Sequence, residues 1–208
     1  MAQTQQAPAT KPAITTWKID PAHSNAQFSV RHLMISNVKG EFTRVSGQAL
    51  LDPGHPESLS AEATIDVSTI NTREPDRDTH LKSPDFFDVA KYPTLTFKSK
   101  GAIAGPDGLK VTGDLTIHGT MREVTLKVDG PTPPVKDPWG NTRIGASAST
   151  KINRKDFGLV WNQALETGGV LVGDEIRINL DVELVEEAAA AGAGNEPSAA
   201  QKLRTDSL

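Results

Sequence analysis

The chain has 208 residues, 37% of them hydrophobic, with 17 Gly, no Cys and a formal net charge of −4. That length supports one domain with a sizeable core or a single closed barrel. The acidic balance, with no Lys/Arg-rich block, argues against nucleic acid, and the absence of Cys excludes disulfides, thiol catalysis and thiolate metal sites.

Residues 1–13 are polar and Ala/Pro-rich, which predicts a flexible lead-in without the apolar run of a signal segment. There is also no stretch of about 18 apolar residues for a membrane span. A cytoplasmic protein is therefore expected, or a periplasmic one if a signal was removed. Strand signals begin at Thr15–Asp20 and continue in Asn25–His32. The second segment places Ala26, Phe28, Val30 and His32 on one face and Gln27, Ser29 and Arg31 on the other. Leu33-Met34-Ile35 interrupts the alternation and is expected at a barrel mouth or folded over one end. Val45–Leu51 is the next strand, ending at the Asp52–Gly54 turn. Leu59–Ser68 then alternates cleanly, with Leu59, Ala61, Ala63, Ile65 and Val67 on one face.

Between Arg77 and Phe97 the two-residue period fails. The spacing predicts a short helical insertion near residues 75–90: a turn of helix over Asp76–Ser83, then an apolar elbow at Phe86–Val89. Tyr92-Pro93 forces an extended exit. Alternation resumes in Thr94–Lys100, with Leu95 and Phe97 inward, and a Gly105–Gly108 turn leads into Leu109–Ile117. Val124, Leu126 and Val128 mark another strand, followed by Thr142–Asn153 with Ile144, Ala146, Ala148 and Ile152 inward. Glu175–Val185 is the cleanest of all, with Ile176, Ile178, Leu180, Val182 and Leu184 on one side. Residues 187–208 are low in complexity and read as a disordered tail, leaving 14–186 as the domain.

About nine short, half-buried strands joined by hairpin-length turns indicate antiparallel sheet and exclude a βαβ fold. Closure into a barrel removes the exposed edges. The predicted inner face is lean: Gly47, Ala49, Ala61, Ala63, Gly113, Ala146 and Ala148 all fall on it. So lean a wall does not fill a barrel of this width, and a long apolar cavity for a lipid-like guest is expected. Gly47 and Gly113 have an alternative role as corner kinks.

Candidate chemistry is sparse. The five His residues form no recognisable metal pair, and no nucleophile elbow, P-loop or dinucleotide fingerprint occurs. His80 with Asp78 and Asp85 forms a possible acid–base cluster. The plainer alternative makes His80 an anchor for the elbow and Asp76 or Asp78 a partner of the helix dipole. His32 shares a face with Phe28 and Val30, where an unpaired imidazole is costly. It either meets a ligand head group or interior water, or lies past the strand end in solvent. Arg31, Arg73, Arg77 and Arg154 either offer charge to a phosphate-bearing head or form surface ion pairs.

Several segments carry a resemblance. W-K-I-D-P-A-H-S at Trp17–Ser24 and F-S-V-R-H-L-M-I-S-N-V-K-G-E-F at Phe28–Phe42 are followed in order by A-T-I-D-V-S-T-I-N-T, R-D-T-H-L-K-S-P-D-F-F-D-V-A-K-Y-P-T-L-T-F, G-D-L-T-I-H-G-T, I-N-R-K-D-F-G and V-G-D-E-I. In these the chain resembles the YceI-like, polyisoprenoid-binding proteins over roughly Thr15 to Val185. The resemblance implies an all-β, extended antiparallel eight-stranded lipocalin-like barrel, often a homodimer, holding a polyprenyl or isoprenoid-quinone lipid. It supplies no catalytic residues.

The expectation is therefore a non-enzymatic protein without cofactor or metal that sequesters or transports an isoprenoid lipid. Phe28, Val30, Ala63, Ile65, Leu95, Phe97, Leu115, Ala146 and Ile178 are expected to line the tunnel, with His32 as a polar contact. Phe86 and Phe87, or Leu33–Ile35, are expected to close an end. Two alternatives are an enzyme acting on such a lipid through His32 or His80, and a filled-core structural domain.

Overall fold

Alternation becomes sheet almost wherever the sequence shows it in the computed structural model, which describes residues 13–106, 108–165 and 169–187. The strands are β1 (Thr15–Ile19), β2 (Asn25–His32), β3 (Ser36–Phe42), β4 (Val45–Asp52), β5 (His55–Asp66), β6 (Ile70–Asn71), β7 (Thr94–Gly105), β8 (Gly108–Ile117), β9 (Thr120–Asp129), β10 (Val135–Lys136), β11 (Thr142–Asn153) and β12 (Val172–Glu186). One helix, α1 (Pro75–Lys82), stands between β6 and β7. The predicted lead-in and tail lie outside the described residues, apart from Ala13 and Glu187 at their inner ends.

Neighbouring strands pair antiparallel in the cyclic order β11, β9, β8, β7, β5, β4, β1, β12 and back to β11, which closes an eight-stranded barrel. The closing seam is long, running from Arg143↔Val185 to Asn153↔Glu175. The opposite edge of β12 is shared. Leu184–Glu186 pair with β1, whereas Val172–Asp181 pair with β2, and β2, β3 and β6 extend the wall from there. Between the two partners the chain bends through Asp20–Ser24, and Glu183 is still satisfied. Asp20 N donates to its carbonyl at 2.8 Å, and its own N–H donates to Ser24 Oγ at 3.0 Å. That bend is why the D-P-A-H-S run separates two strands, since a buried backbone group without a partner is costly.

β3 was hidden from the sequence, because only Val38, Gly40 and Phe42 alternate in a polar run. Gly40 is needed there, since a Cβ would lie 2.4 Å from Phe28 Cζ. Its presence corrects the expectation for Leu33–Ile35. These residues form the tip of the β2–β3 hairpin, with Ile35 N donating to His32 O at 3.0 Å. They do not fold over the barrel: Met34 and Ile35 are 63% and 79% exposed. Leu33 (φ 53°) and Met34 (φ 58°) both adopt the left-handed region, which the twist of a tight hairpin favours. For such side chains this costs about 1–2 kcal/mol per residue.

The predicted insertion is present. Pro75 opens α1, and Asp78 accepts from both the N–H and the hydroxyl of Thr72. Phe87 N then donates to Leu81 O and Tyr92 N to Asp88 O, folding residues 83–92 into the elbow.

Gly47 is where backbone geometry is least tolerant. Its φ is +145°, and a Cβ would stand 2.1 Å from the Glu62 carbonyl across the β4–β5 ladder. Gly47→Ala is expected to lower urea-unfolding stability by at least about 2 kcal/mol. Gly101→Ala, whose Cβ meets open space, should change it by less than ~0.5 kcal/mol.

Candidate functional site: an apolar cavity inside the barrel

The inward faces of the strands enclose a cavity of about 280 Å3 with an almost wholly apolar wall. That volume is roughly twenty times the ~10–15 Å3 that one water requires. Ile176, Ile178, Leu180 and Val182 form a stripe along β12, and all keep partial accessibility although they face inward. Filled clusters stop the cavity. Trp17, Leu51, Ile144 and Leu184 pack near the start of β1. Val67, Ile70, Phe157 and Leu159 pack at the other end.

Of the residues expected at the site, Phe28, Val30, Ala63, Ile65, Phe86, Phe87, Leu95, Phe97, Leu115, Ala146 and Ile178 lie on this wall. His32 does not. It is the last residue of β2, beyond the slip in the pairing with β12 between Val172 and Ile176. The small residues divide by chemistry. Ala49, Ala61, Ala63, Ala146 and Ala148 line the cavity, whereas Gly47 and Gly113 do not. A Cβ on Gly113 would lie 2.5 Å from Phe97 Cζ, so this glycine seats the Phe97 ring rather than widening the lumen.

The elbow supplies the cap. Leu81, Phe86 and Phe87 face the cavity, and Phe87 meets the edge of Phe42 with centroids 5.8 Å apart. On its other side Phe86 packs against His80 (5.1 Å) and Trp161 (5.1 Å), while His80 meets Trp161 edge-on at 4.8 Å. His80 Nε2 lies 3.0 Å from Asp85 Oδ2. His80 is thus outside the wall and orients the cap from behind. Trp161 was missed in the sequence, where a lone Trp after Leu159 and Val160 was its single signal.

Trp161 is placed by Arg154, which is 2% exposed. Its Nε donates to Gly173 O at 2.9 Å, and Nη1 donates to Leu159 O at 2.6 Å and Trp161 O at 2.8 Å. Nη2 reaches Val172 O and Asp174 Oδ1. Burial lowers its pKa from the usual arginine value, with Asp174 opposing. With its donors spent on the protein, Arg154 is not free to receive a phosphate head. Arg77 is likewise committed, to Thr72. Arg31 and Arg73 are exposed, off the cavity wall.

A second polar cluster lies at the Asp20–Ser24 bend. Arg143 Nη1 donates to Asp20 Oδ2 at 2.7 Å and to Glu183 Oε1, and its Nε donates to Asp137 Oδ2 at 2.7 Å. The ligand atoms of Asp20, His23 and Glu183 are close enough to hold a metal. The Arg143 guanidinium already bonds both carboxylates, and the cluster works as a clasp between β11, β12 and the bend. Arg143, then His23, hold the Asp20 carboxyl at about 2.

The chain is similar to several bacterial proteins in sequence and in fold. A UPF0312 protein of Staphylococcus aureus (strain N315) is 38% identical over 173 residues, 82% of this chain and 97% of its own. The Campylobacter jejuni YCEI protein superposes with a TM-score of 0.63 at 34% identity, covering 76% of this chain and 90% of that one. Burkholderia cenocepacia BcnA gives 0.67 at 26% identity, covering 79% and 98%. A polyisoprenoid binding domain from Saccharophagus degradans gives 0.60 at 16% identity, covering 83% and 99%, a likeness of fold.

Two outcomes test the polar supports. Arg154→Lys should destabilise the protein by about 3 kcal/mol or more in urea, since an ammonium does not reach five acceptors. The Asp20 pKa is depressed on folding, so its contribution is present above its ordinary value of 3.8 and fades as pH falls toward about 2. Asp20→Asn should accordingly flatten the loss of stability measured between those pH values. The YceI-like domain model matches residues 17–184, and the chain belongs to the YceI-like family.

Proposed function

We propose that this protein binds an isoprenoid lipid, of polyprenyl or isoprenoid-quinone type, and carries or sequesters it inside the barrel. The observation that carries this reading is the cavity itself: about 280 Å3, apolar almost throughout, and lined by every strand of the closed barrel. At roughly 24 cal/mol per Å3, such a volume left unfilled costs on the order of 7 kcal/mol. That is comparable with the whole stability of a domain. A fold that keeps this space is built for a guest.

Binding rather than catalysis fits the wall, because neither His32 nor His80 belongs to it. Ala61, Ala63, Ala146 and Ala148 keep the wall short along the cavity, which leaves room for an apolar chain. The polyisoprenoid binding domain among the structural neighbours supports the same class of ligand. Each buried CH2 contributes about 0.8 kcal/mol, so the chain outweighs the head group in setting affinity.

Native mass spectrometry of the purified protein, with organic extraction of the adduct, tests this directly. The expected result is a stoichiometric species of isoprenoid mass. A fatty-acyl mass, or an apo mass unchanged after incubation with isoprenoid alcohols, overturns the reading. Among isoprenoid alcohols, affinity should tighten at least about tenfold per added isoprene unit until the cavity is full. Ala63→Phe should stay folded by circular dichroism and lose the adduct.

A further inference from the structure

The β2–β3 tip takes no part in the cavity, yet it holds large apolar side chains in solvent. Met34 and Ile35 are 63% and 79% exposed, and Val170, 38% exposed, lies beside Met34 in one outer hollow. The same hollow is lined by Arg31, Asn37, Asp174, Glu175 and Arg177. Asn-Gly would take the left-handed turn at Leu33-Met34 without strain. Two bulky apolar residues stand there instead, against their backbone preference. Folding does not call for them at this position, so a contact outside the chain is the natural reason for keeping them.

Charge identifies the contact. Arg154 and Lys155 share Asp174, and Lys151 and Arg177 share Glu175. Arg31 has no carboxylate within 4.0 Å among the described residues. An apolar tip flanked by an uncompensated guanidinium is the chemistry of an anionic lipid surface. We propose that the β2–β3 tip docks the barrel on an anionic bilayer, with Met34 and Ile35 entering the interface and Arg31 meeting the head groups. The site is continuous with the cavity wall: Leu33 N donates to Leu171 O at 2.9 Å, and Val30 and Val172 line the lumen from the same two strands. The proposal rests on the lipid-binding reading, since a carrier must meet the membrane that supplies or receives its cargo.

Co-sedimentation of the full chain with phosphatidylglycerol–phosphatidylcholine vesicles, against pure phosphatidylcholine vesicles, tests it. Wild type should partition onto the anionic vesicles. Met34→Asp with Ile35→Asp should lose at least about tenfold in partitioning, and Arg31→Gln about fivefold on anionic vesicles alone. Leu33→Asn with Met34→Gly keeps the turn geometry, so its loss of partitioning would not reflect misfolding. The isoprenoid adduct of each preparation is measured in parallel. Tip variants that keep the adduct but leave the vesicles support docking. Wild type that carries the adduct and ignores vesicles, or tip variants that sediment like wild type, overturns it. Tip variants that turn a dimer into a monomer with no change on vesicles overturn it too, assigning the face to a second copy of the chain. Absence of any adduct from wild type overturns the lipid-binding reading instead.

Discussion

The buried guanidinium of Arg154 is the constraint on which one end of this barrel depends. After β11 the chain leaves the sheet and makes a 3-10 turn over Arg154–Phe157, and β12 begins at Val172. The carbonyls of Leu159 and Trp161 lie outside the ladders, and those of Val172 and Gly173 stand at the irregular start of β12. Arg154 gathers them together with the Asp174 carboxylate. An arginine suits this role because its planar fork presents five donors and holds its charge when buried. The arrangement fixes Trp161, which backs His80 and Phe86, so Arg154 settles the position of the cap through its hold on Trp161.

The opposite end is organised by the shared edge of β12. A fifteen-residue strand pairs with β11 along one side and with β1 and β2 in turn along the other. The changeover at Asp20–Ser24 is secured by hydrogen bonds to Glu183 and by the Arg143 clasp. Few contacts of this kind are needed, because a closed ladder constrains the remaining strands. Helix α1 is the contrasting case. It has no buried residue and its N-cap makes no side-chain bond, so it depends on Thr72, Asp78 and the elbow for its place.

Most of this was legible in the sequence for a simple reason: a barrel wall is dry on one side and wet on the other, and a period of two records that directly. Ile176 to Leu184 and Leu59 to Ile65 could be assigned to a face residue by residue, whereas Val67 lies in a 3-10 turn just past the strand. The alternation also located the cavity, since Ala61, Ala63, Ala146 and Ala148 sit where larger residues would fill it. It failed where period and environment part company. β3 carries Asn37, Lys39 and Glu41 around a glycine, so its hydrophobic signal is faint, and missing it left Leu33–Ile35 without a hairpin to cap. His32 obeyed the period but stood beyond the register slip. Arg154 and Trp161 lie outside any periodic segment, and the partners of Arg154 are mostly backbone carbonyls that no side-chain pattern announces.

The two ends and the middle divide the work by the kind of interaction they use. Directional polar contacts, those of Arg154 at one end and Arg143 near the other, hold the frame, and Arg154 spends its donors so fully on the protein that none is left for a guest. The wall between them offers only dispersion and water exclusion, which are non-directional and grade with contact area. Selectivity in such a site follows from length and width rather than from a recognised functional group. Ala63 and Ala146 set the width. The filled clusters around Trp17 and Phe157 set the length. A chain that fits between them is held by its whole surface at once.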